Sequence, residues 1–338
     1  MGTKWFYAIR ARVPNAKWKP DPLACPHHLW LYHDGMRTDL DHLPLRKRRE
    51  LEEAVRIIFE EVREDLSLAT GRRKAGRIVK IILYGSHARG GWVDRPHYQS
   101  DFDLLVIVNR KDMIERSEAL EKASDLLMRE VIHTKRMKTP VSIIAHTLQE
   151  VNAALSEGRY FFMDIAREGI ALYEADGKAL ARPRPKTPEA ALALAKEYFE
   201  DWYPDAGVFL ETFRYLMTKR HWRHAAFELH QATEQLYHCL LLVRTFYTPH
   251  SHNIKFLRDR AEPLDASLAE AWPRTLQRDR ARFMRLKDAY VKARYSKQFR
   301  ISEDDLIWLG ERVEVLDAAV KASCLDRIVE HEVAVEES

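Results

Sequence analysis

Apolar positions along the chain fall into two regimes. Leu51, Val55, Ile58, Val62 and Leu66 recur at helical spacing behind Pro44, which predicts a helix over about 43–69. Ile78 to Tyr84 and Leu104 to Val108 are instead nearly unbroken β-branched and aliphatic runs, the pattern of buried strands. A helix is predicted over 112–133, a third strand from Pro140 to Ala145, short helices near 147–168 and a last strand at Ile170–Tyr173. Strands alternating with helices predict an α/β domain over 36–174. From residue 188 helical periodicity dominates, with helices predicted at 188–201, 205–219, 221–246, 252–261, 267–294 and 302–324. That pattern is an all-α bundle over 188–325.

Three stretches lie outside these regimes. Residues 1–35 carry Pro14, Pro20, Pro22 and Pro26 among Trp5, Phe6, Trp18, Trp30 and Tyr32, and read as an irregular N-terminal arm. Residues 175–187, with Pro183, Pro185 and several basic side chains, read as a linker. Residues 326–338 set five acids against Arg327 and read as an acidic tail that frays. Composition narrows the class. At 338 residues, 46% apolar and 31% charged, the chain is neither disordered nor fibrous. A net charge of +4 does not by itself announce a nucleic-acid binder. Cys25, Cys239 and Cys324 are too scattered for a disulfide framework or a zinc site, so a cytoplasmic setting is expected. No apolar run approaches a membrane span and residues 1–30 lack a signal-peptide core.

The chemistry concentrates after the first strand. Gly85-Ser86-His87-Ala88-Arg89-Gly90-Gly91 follows Tyr84 directly, and Ser100-Asp101-Phe102-Asp103-Leu104-Leu105 stands at the mouth of the next strand. Glycine permits a tight turn, and Ser86 with the following amides then begins a helix, where outward N–H groups favour phosphate. Asp101 and Asp103, two apart at a strand start, point to the same side. Two carboxylates beside a phosphate cradle are a site for Mg²⁺.

This joint pattern resembles the polymerase β-like nucleotidyltransferase signature, Gly-Ser-x-Ala-Arg-Gly followed by Ser-Asp-x-Asp-Leu. The resemblance implies a nucleotidyltransferase domain with a mixed sheet. In it Gly85, Ser86, Arg89 and Ser100 would bind the nucleotide, and Asp101 and Asp103 would ligate Mg²⁺; with Ser86 they form the expected catalytic set. The family's third carboxylate, on a later strand, falls at Ser142 here. Asp164, Glu168 and His146 are the nearby candidates for its role.

The helical half carries Ala225-Ala226-Phe227-Glu228-Leu229-His230-Gln231-Ala232-Thr233-Glu234, then Pro249-His250-Ser251-His252-Asn253-Ile254. This is similar to the HEPN family of helical bundles, in the domain order of kanamycin nucleotidyltransferase-like proteins. The resemblance implies a homodimer through the helical domain, with helix 221–246 walling the cleft. Family ribonucleases place Arg, then His, on a late helix; the segment Tyr290 to Ser296 lacks that histidine. His230, Gln231 and Glu234 either line the cleft or make interhelical contacts, and His252 is expected to cap a helix. The segment 274–300 holds ten basic residues against Asp279 and Asp288, either a solvated face or a phosphate-attracting rim.

The expected activity is Mg²⁺-dependent transfer of a nucleoside monophosphate from an NTP, ATP first, to the hydroxyl of a small molecule, protein or RNA end. A nucleotide-binding regulator, or a fused toxin–antitoxin-like protein with weak or no transferase activity, is the alternative. A HEPN ribonuclease is the weaker one.

Overall fold

The computed structural model describes residues 36–95, 98–175 and 179–338. The expected N-terminal arm lies outside the described residues. The rest is mostly helical, with a small mixed four-stranded sheet in its N-terminal part.

The apolar runs become the sheet. Strands β1 (Ile78–Tyr84), β4 (Phe102–Val108), β5 (Val141–Thr147) and β6 (Ile170–Glu174) lie in the order β5-β4-β1-β6. β1 is antiparallel to both β4 and β6, whereas β4 and β5 are parallel. Every residue of β1 is buried, as an unbroken apolar run requires. A two-residue hairpin, β2 (Asp94–Arg95) with β3 (Tyr98–Gln99), projects from the loop between β1 and β4.

Helices α1 (Leu45–Leu68) and α4 (Ala119–Ile132) share one apolar cluster with the sheet, through Ile58, Leu127, Ile81 and Leu104. Buried Glu50 of α1 accepts from the N–H groups of Lys138 and Thr139 at 3.1 and 3.3 Å, just ahead of β5. Helices α5 (Leu148–Ser156) and α6 (Tyr160–Glu168) share a second cluster with Val79, Ile82, Leu105 and Ile107. Tyr247 and Phe256, from the helical half, join that second cluster. The two short helices α2 (Gly85–Arg89) and α3 (Asp112–Glu115) complete this part.

Five helices make the rest: α7 (Pro188–Thr218), α8 (Trp222–Thr245), α9 (Ile254–Ala261), α10 (Gln277–Tyr295) and α11 (Glu303–Glu336). Their core is built on the apolar face of α8, with Leu229, Leu236, Tyr237 and Leu240 fully buried. Trp272 donates its indole N–H to Tyr237 Oη at 2.7 Å inside it.

The sequence expectations need five changes here. The helix expected over 112–133 is two, α3 and α4, broken at 116–118, where the Ser117 hydroxyl accepts from Ala119 N–H at 3.1 Å. The helices expected at 188–201 and 205–219 are one helix that runs through Pro204. The helix expected over 267–294 is a 3₁₀ turn (Ala266–Ala271) followed by α10, because Pro273 interrupts the apolar stripe. The linker is docked: Ala181 N–H donates to Asn152 Oδ1 at 2.8 Å and Arg184 N–H to Leu155 O at 2.9 Å. The acidic tail is the last part of α11, because Ile328 and His331 are buried there and the His331 ring stacks on Phe246. Ile328→Ala is expected to lower stability by about 2 kcal/mol or more, read from the urea midpoint; a frayed tail would leave that midpoint unmoved.

Candidate active site

Strand register places Asp103 of β4 opposite Tyr84, the last residue of β1, so its carboxylate meets the turn at Gly85. Gly85 has φ +73°, and a Cβ built on it would collide with Asp103 Oδ2. Only glycine meets both conditions without strain. Asp101 stands immediately before β4, and its carbonyl accepts from His87 Nδ1 at 2.9 Å. The His87 ring is fully buried, stacked on Trp92 with centroids 5.6 Å apart and set against Phe102. That ring pins α2 to the start of β4 and holds the glycine turn beside the acid pair.

Ser86 is half-buried at the beginning of α2. Because α2 is a single short turn, its dipole is small and phosphate would be held by individual N–H groups. Arg89, at its end, is half-exposed and pairs with Glu168 at 3.6 Å. Ser100 serves the neighbouring loop: its hydroxyl accepts from Val93 N–H at 2.9 Å.

The side chain that touches Asp103 from outside comes from α9. Arg260 donates Nη1 to Asp103 Oδ1 at 3.1 Å and Nη2 to Tyr84 Oη at 2.6 Å. Its guanidinium lies 3.9 Å over the Phe256 ring. Lys255, on the same helix, pairs with Asp259 at 2.6 Å and acts electrostatically on Asp101. Burial pushes the Asp101 carboxyl up to about 6, with Lys255 opposing and Asp259 and Asp103 adding to the rise. Burial also raises Asp103, against the pull of Arg260. Helix α8, expected to wall the cleft, contributes none of these contacts; α9 does.

The candidates for a third acid or base are engaged elsewhere. Ser142 is the register partner of Asp103. Asp164 and Glu168 both accept from Arg167 at 2.6 Å. His146 lies four residues farther along β5, opposite Ile107, and hydrogen-bonds Tyr247 Oη at 2.9 Å. At strand rise that is about 13 Å from the acid pair. Among the described residues no group of three or more His, Cys, Asp or Glu side chains is arranged to hold a metal ion. Asp101 and Asp103 are the acids that would hold an ion here, and phosphate and water would have to complete its shell.

A shallow cavity of about 430 Å³ lies at the far end of β4, lined by Asn109, Arg110, Lys111, Asp112, Glu115 and Arg116. Its lining is charged, with Asp112 paired to Arg110 and Glu115 to Lys111, and it lies away from both motifs, so it is not the candidate site.

In the helical half, His230 and Glu234 are buried, and the His230 ring lies against Tyr290 of α10 with centroids 5.3 Å apart, which decides their case for contacts inside the bundle. Glu234 accepts from His252 Nδ1 at 2.9 Å and faces His230 and His238. Asn253, not His252, caps α9 by accepting from Lys255 and Phe256 N–H. The basic segment is heavily paired: Arg282 and Arg285 both bind Asp305, joining α10 to α11. Arg244 donates to Ser323 on α11.

Arg260 and Lys255 were missed in the sequence. Nothing local marks them, because the contact with Asp103 spans 157 positions.

Residues 199–322 match the HEPN domain family. No curated protein matches the chain. No described helix is long and apolar enough to cross a membrane.

Burial, opposed by Glu234, holds the His230 imidazole down to about 4. Unfolded, it titrates near 6.5, so between those values the unfolded chain binds a proton that the folded one refuses. Stability is expected to fall as pH drops from about 6.5 toward 4, with His230 contributing about 1.4 kcal/mol per pH unit. Urea unfolding at stepped pH, with His230→Gln as the comparison, checks this; equal slopes for the two proteins would contradict it.

Proposed function

We propose that the protein is a nucleotidyltransferase that moves a nucleoside monophosphate from an NTP, ATP being the first to test, to an acceptor hydroxyl. The observation that carries the reading is the packing of the Asp103 carboxylate on the Gly85 turn, with Asp101 fixed beside it through His87. Two motifs that resemble one family's signature are thereby brought into contact.

Asp101 and Asp103 would hold a magnesium ion, which when bound neutralises charge on the phosphoryl oxygens. Gly85 and Ser86 bind the triphosphate through the turn, and Arg89 adds positive charge at its rim. The acceptor oxygen bonds to the α-phosphorus as the bond to pyrophosphate breaks, and the hydroxyl proton passes to solvent. Rate enhancement on this scheme comes from positioning and charge rather than from covalent chemistry. A dimer through the helical half belongs to the same reading, and the exposed Val208 and Tyr215 of α7 are apolar surface available to it.

One observation favours the second reading, a nucleotide-binding regulator with weak or no transfer. No general base faces Asp103 in β5, where its partner is Ser142.

Calorimetric titration with ATP and Mg²⁺ tests both. Binding is expected, and Asp101→Asn with Asp103→Asn should weaken it at least tenfold, about 1.4 kcal/mol, in a variant that circular dichroism shows to be folded. Pyrophosphate release in the presence of candidate acceptors then separates transferase from regulator. Unchanged binding by the double variant would remove the acid pair from the function.

In the turn itself, Gly85→Ala is expected to abolish ATP binding and to cost about 1 kcal/mol or more in stability, because alanine at positive φ is strained and its methyl displaces the Asp103 carboxylate. Normal binding by that variant would show that the turn is not the cradle.

A further inference from the structure

We propose that Arg260 stands in for a second metal ion, so that the acid pair works with one divalent cation. This rests on the nucleotidyltransferase reading and adds to it a residue from the helical half.

The two oxygens of Asp103 have different surroundings. Oδ1 accepts from Arg260 Nη1 at 3.1 Å, whereas Oδ2 faces the glycine turn. Arg260 is not a passing surface partner. Its side chain is 9% exposed, its plane rests on Phe256, and Nη2 is tied to Tyr84 Oη. Its buried Nε finds no acceptor among the described residues, so its position is set by stacking and by the Tyr84 and Asp103 bonds.

A magnesium ion binds oxygen at about 2.1 Å, so one placed on Oδ1 would lie no farther than about 5 Å from the guanidinium nitrogen. At that separation in a partly buried site like charges repel strongly, and a guanidinium does not shed its proton. Oδ1 is therefore closed to a cation, which leaves Oδ2 and Asp101 as the acidic ligands for a single ion. A second ion would also lack a third carboxylate, because Ser142 occupies the register position beside Asp103. Asp164 and Glu168 are held by Arg167, and Glu168 also by Arg89. Lys255 and Asp259 form their own pair near Asp101 and leave the local charge balance unchanged.

Arg260 is thus a positioning residue: it fixes which oxygen of Asp103 is presented and supplies positive charge beside it.

The test counts metal ions. The full chain is loaded with α,β-methylene-ATP and titrated with Mn²⁺, and free and bound ion are read by electron paramagnetic resonance. One tightly bound Mn²⁺ per chain is expected. Ser142→Asp alone, which restores a third carboxylate, should still take one. Ser142→Asp with Arg260→Gln should take two, the second at least tenfold tighter than in Ser142→Asp. Two ions on the wild type, or on Ser142→Asp with Arg260 in place, overturn the proposal and leave the nucleotide reading intact. Equal second-ion affinity in the single and double variants overturns it as well. No nucleotide bound to the wild type overturns both. Thermal melts qualify each variant, and if the double variant does not fold, the wild-type and Ser142→Asp counts decide alone.

Discussion

The carboxylate of Asp103 is the point on which the two halves of the molecule converge. It is largely withdrawn from water, and a buried carboxylate is costly unless its charge is compensated. The compensation is Arg260, from a helix 157 positions away in sequence. The approach of Asp103 to the first strand is possible only because Gly85 carries no side chain and has positive φ. The acid pair, the turn and α9 are consequently one unit: displacing any of them leaves a charge without its partner.

The apolar packing imposes the same union. One face of the sheet is covered by α1 and α4, which precede or interleave with the strands in sequence. The other face is only partly covered by α5 and α6. Tyr247, from the end of α8, completes it, stacked on Phe161 with centroids 4.3 Å apart. Phe256 of α9 packs against the same cluster and also carries the Arg260 guanidinium. Aromatic burial therefore holds α9 against the sheet, and Arg260 is delivered to Asp103 by packing rather than by its own attraction. A helix so anchored gives the ion pair a fixed geometry, unlike an exposed pair whose side chains must be ordered for little gain.

What could be read from the sequence follows the range of the interactions. Strands β1 and β4 were legible because burial on both faces writes an unbroken apolar run. The glycine turn and the acid pair were legible because each is a contiguous motif. Element breaks were less so. The apolar stripe persists across Pro273, although the backbone cannot stay helical there, and the pattern divides 188–219 into two helices although α7 passes unbroken through Pro204. The tail was misread because its net charge is visible in sequence while the burial of Ile328 and His331 is not. Arg260 left no trace at all: on α9 it is one basic residue among Lys255, Arg258 and Arg260, and only the tertiary fold separates their roles. For the same reason the basic run of α10 looked like a free surface, although Asp305 of α11 engages Arg282 and Arg285.

Ser142 and Arg260 are best understood together. In the three-carboxylate arrangement that the first-domain motif resembles, two divalent ions offset three acids and leave one net positive charge toward the phosphates. On the one-ion proposal, two acids, one fixed guanidinium and one divalent ion would leave the same net charge. Loss of the third carboxylate alone would have made the site too positive for its ions, and a guanidinium alone would have crowded them. On that proposal the pairing of Ser142 with Arg260 would keep the field that a triphosphate meets while needing one ion fewer. It also transfers part of that field to the helical half, because the guanidinium is held by Phe256 and Tyr84. A change in the packing of α9 would then act on the charge at the acid pair without touching the turn or the carboxylates. The helical half on this argument is part of the electrostatics of the site and not a scaffold appended to it.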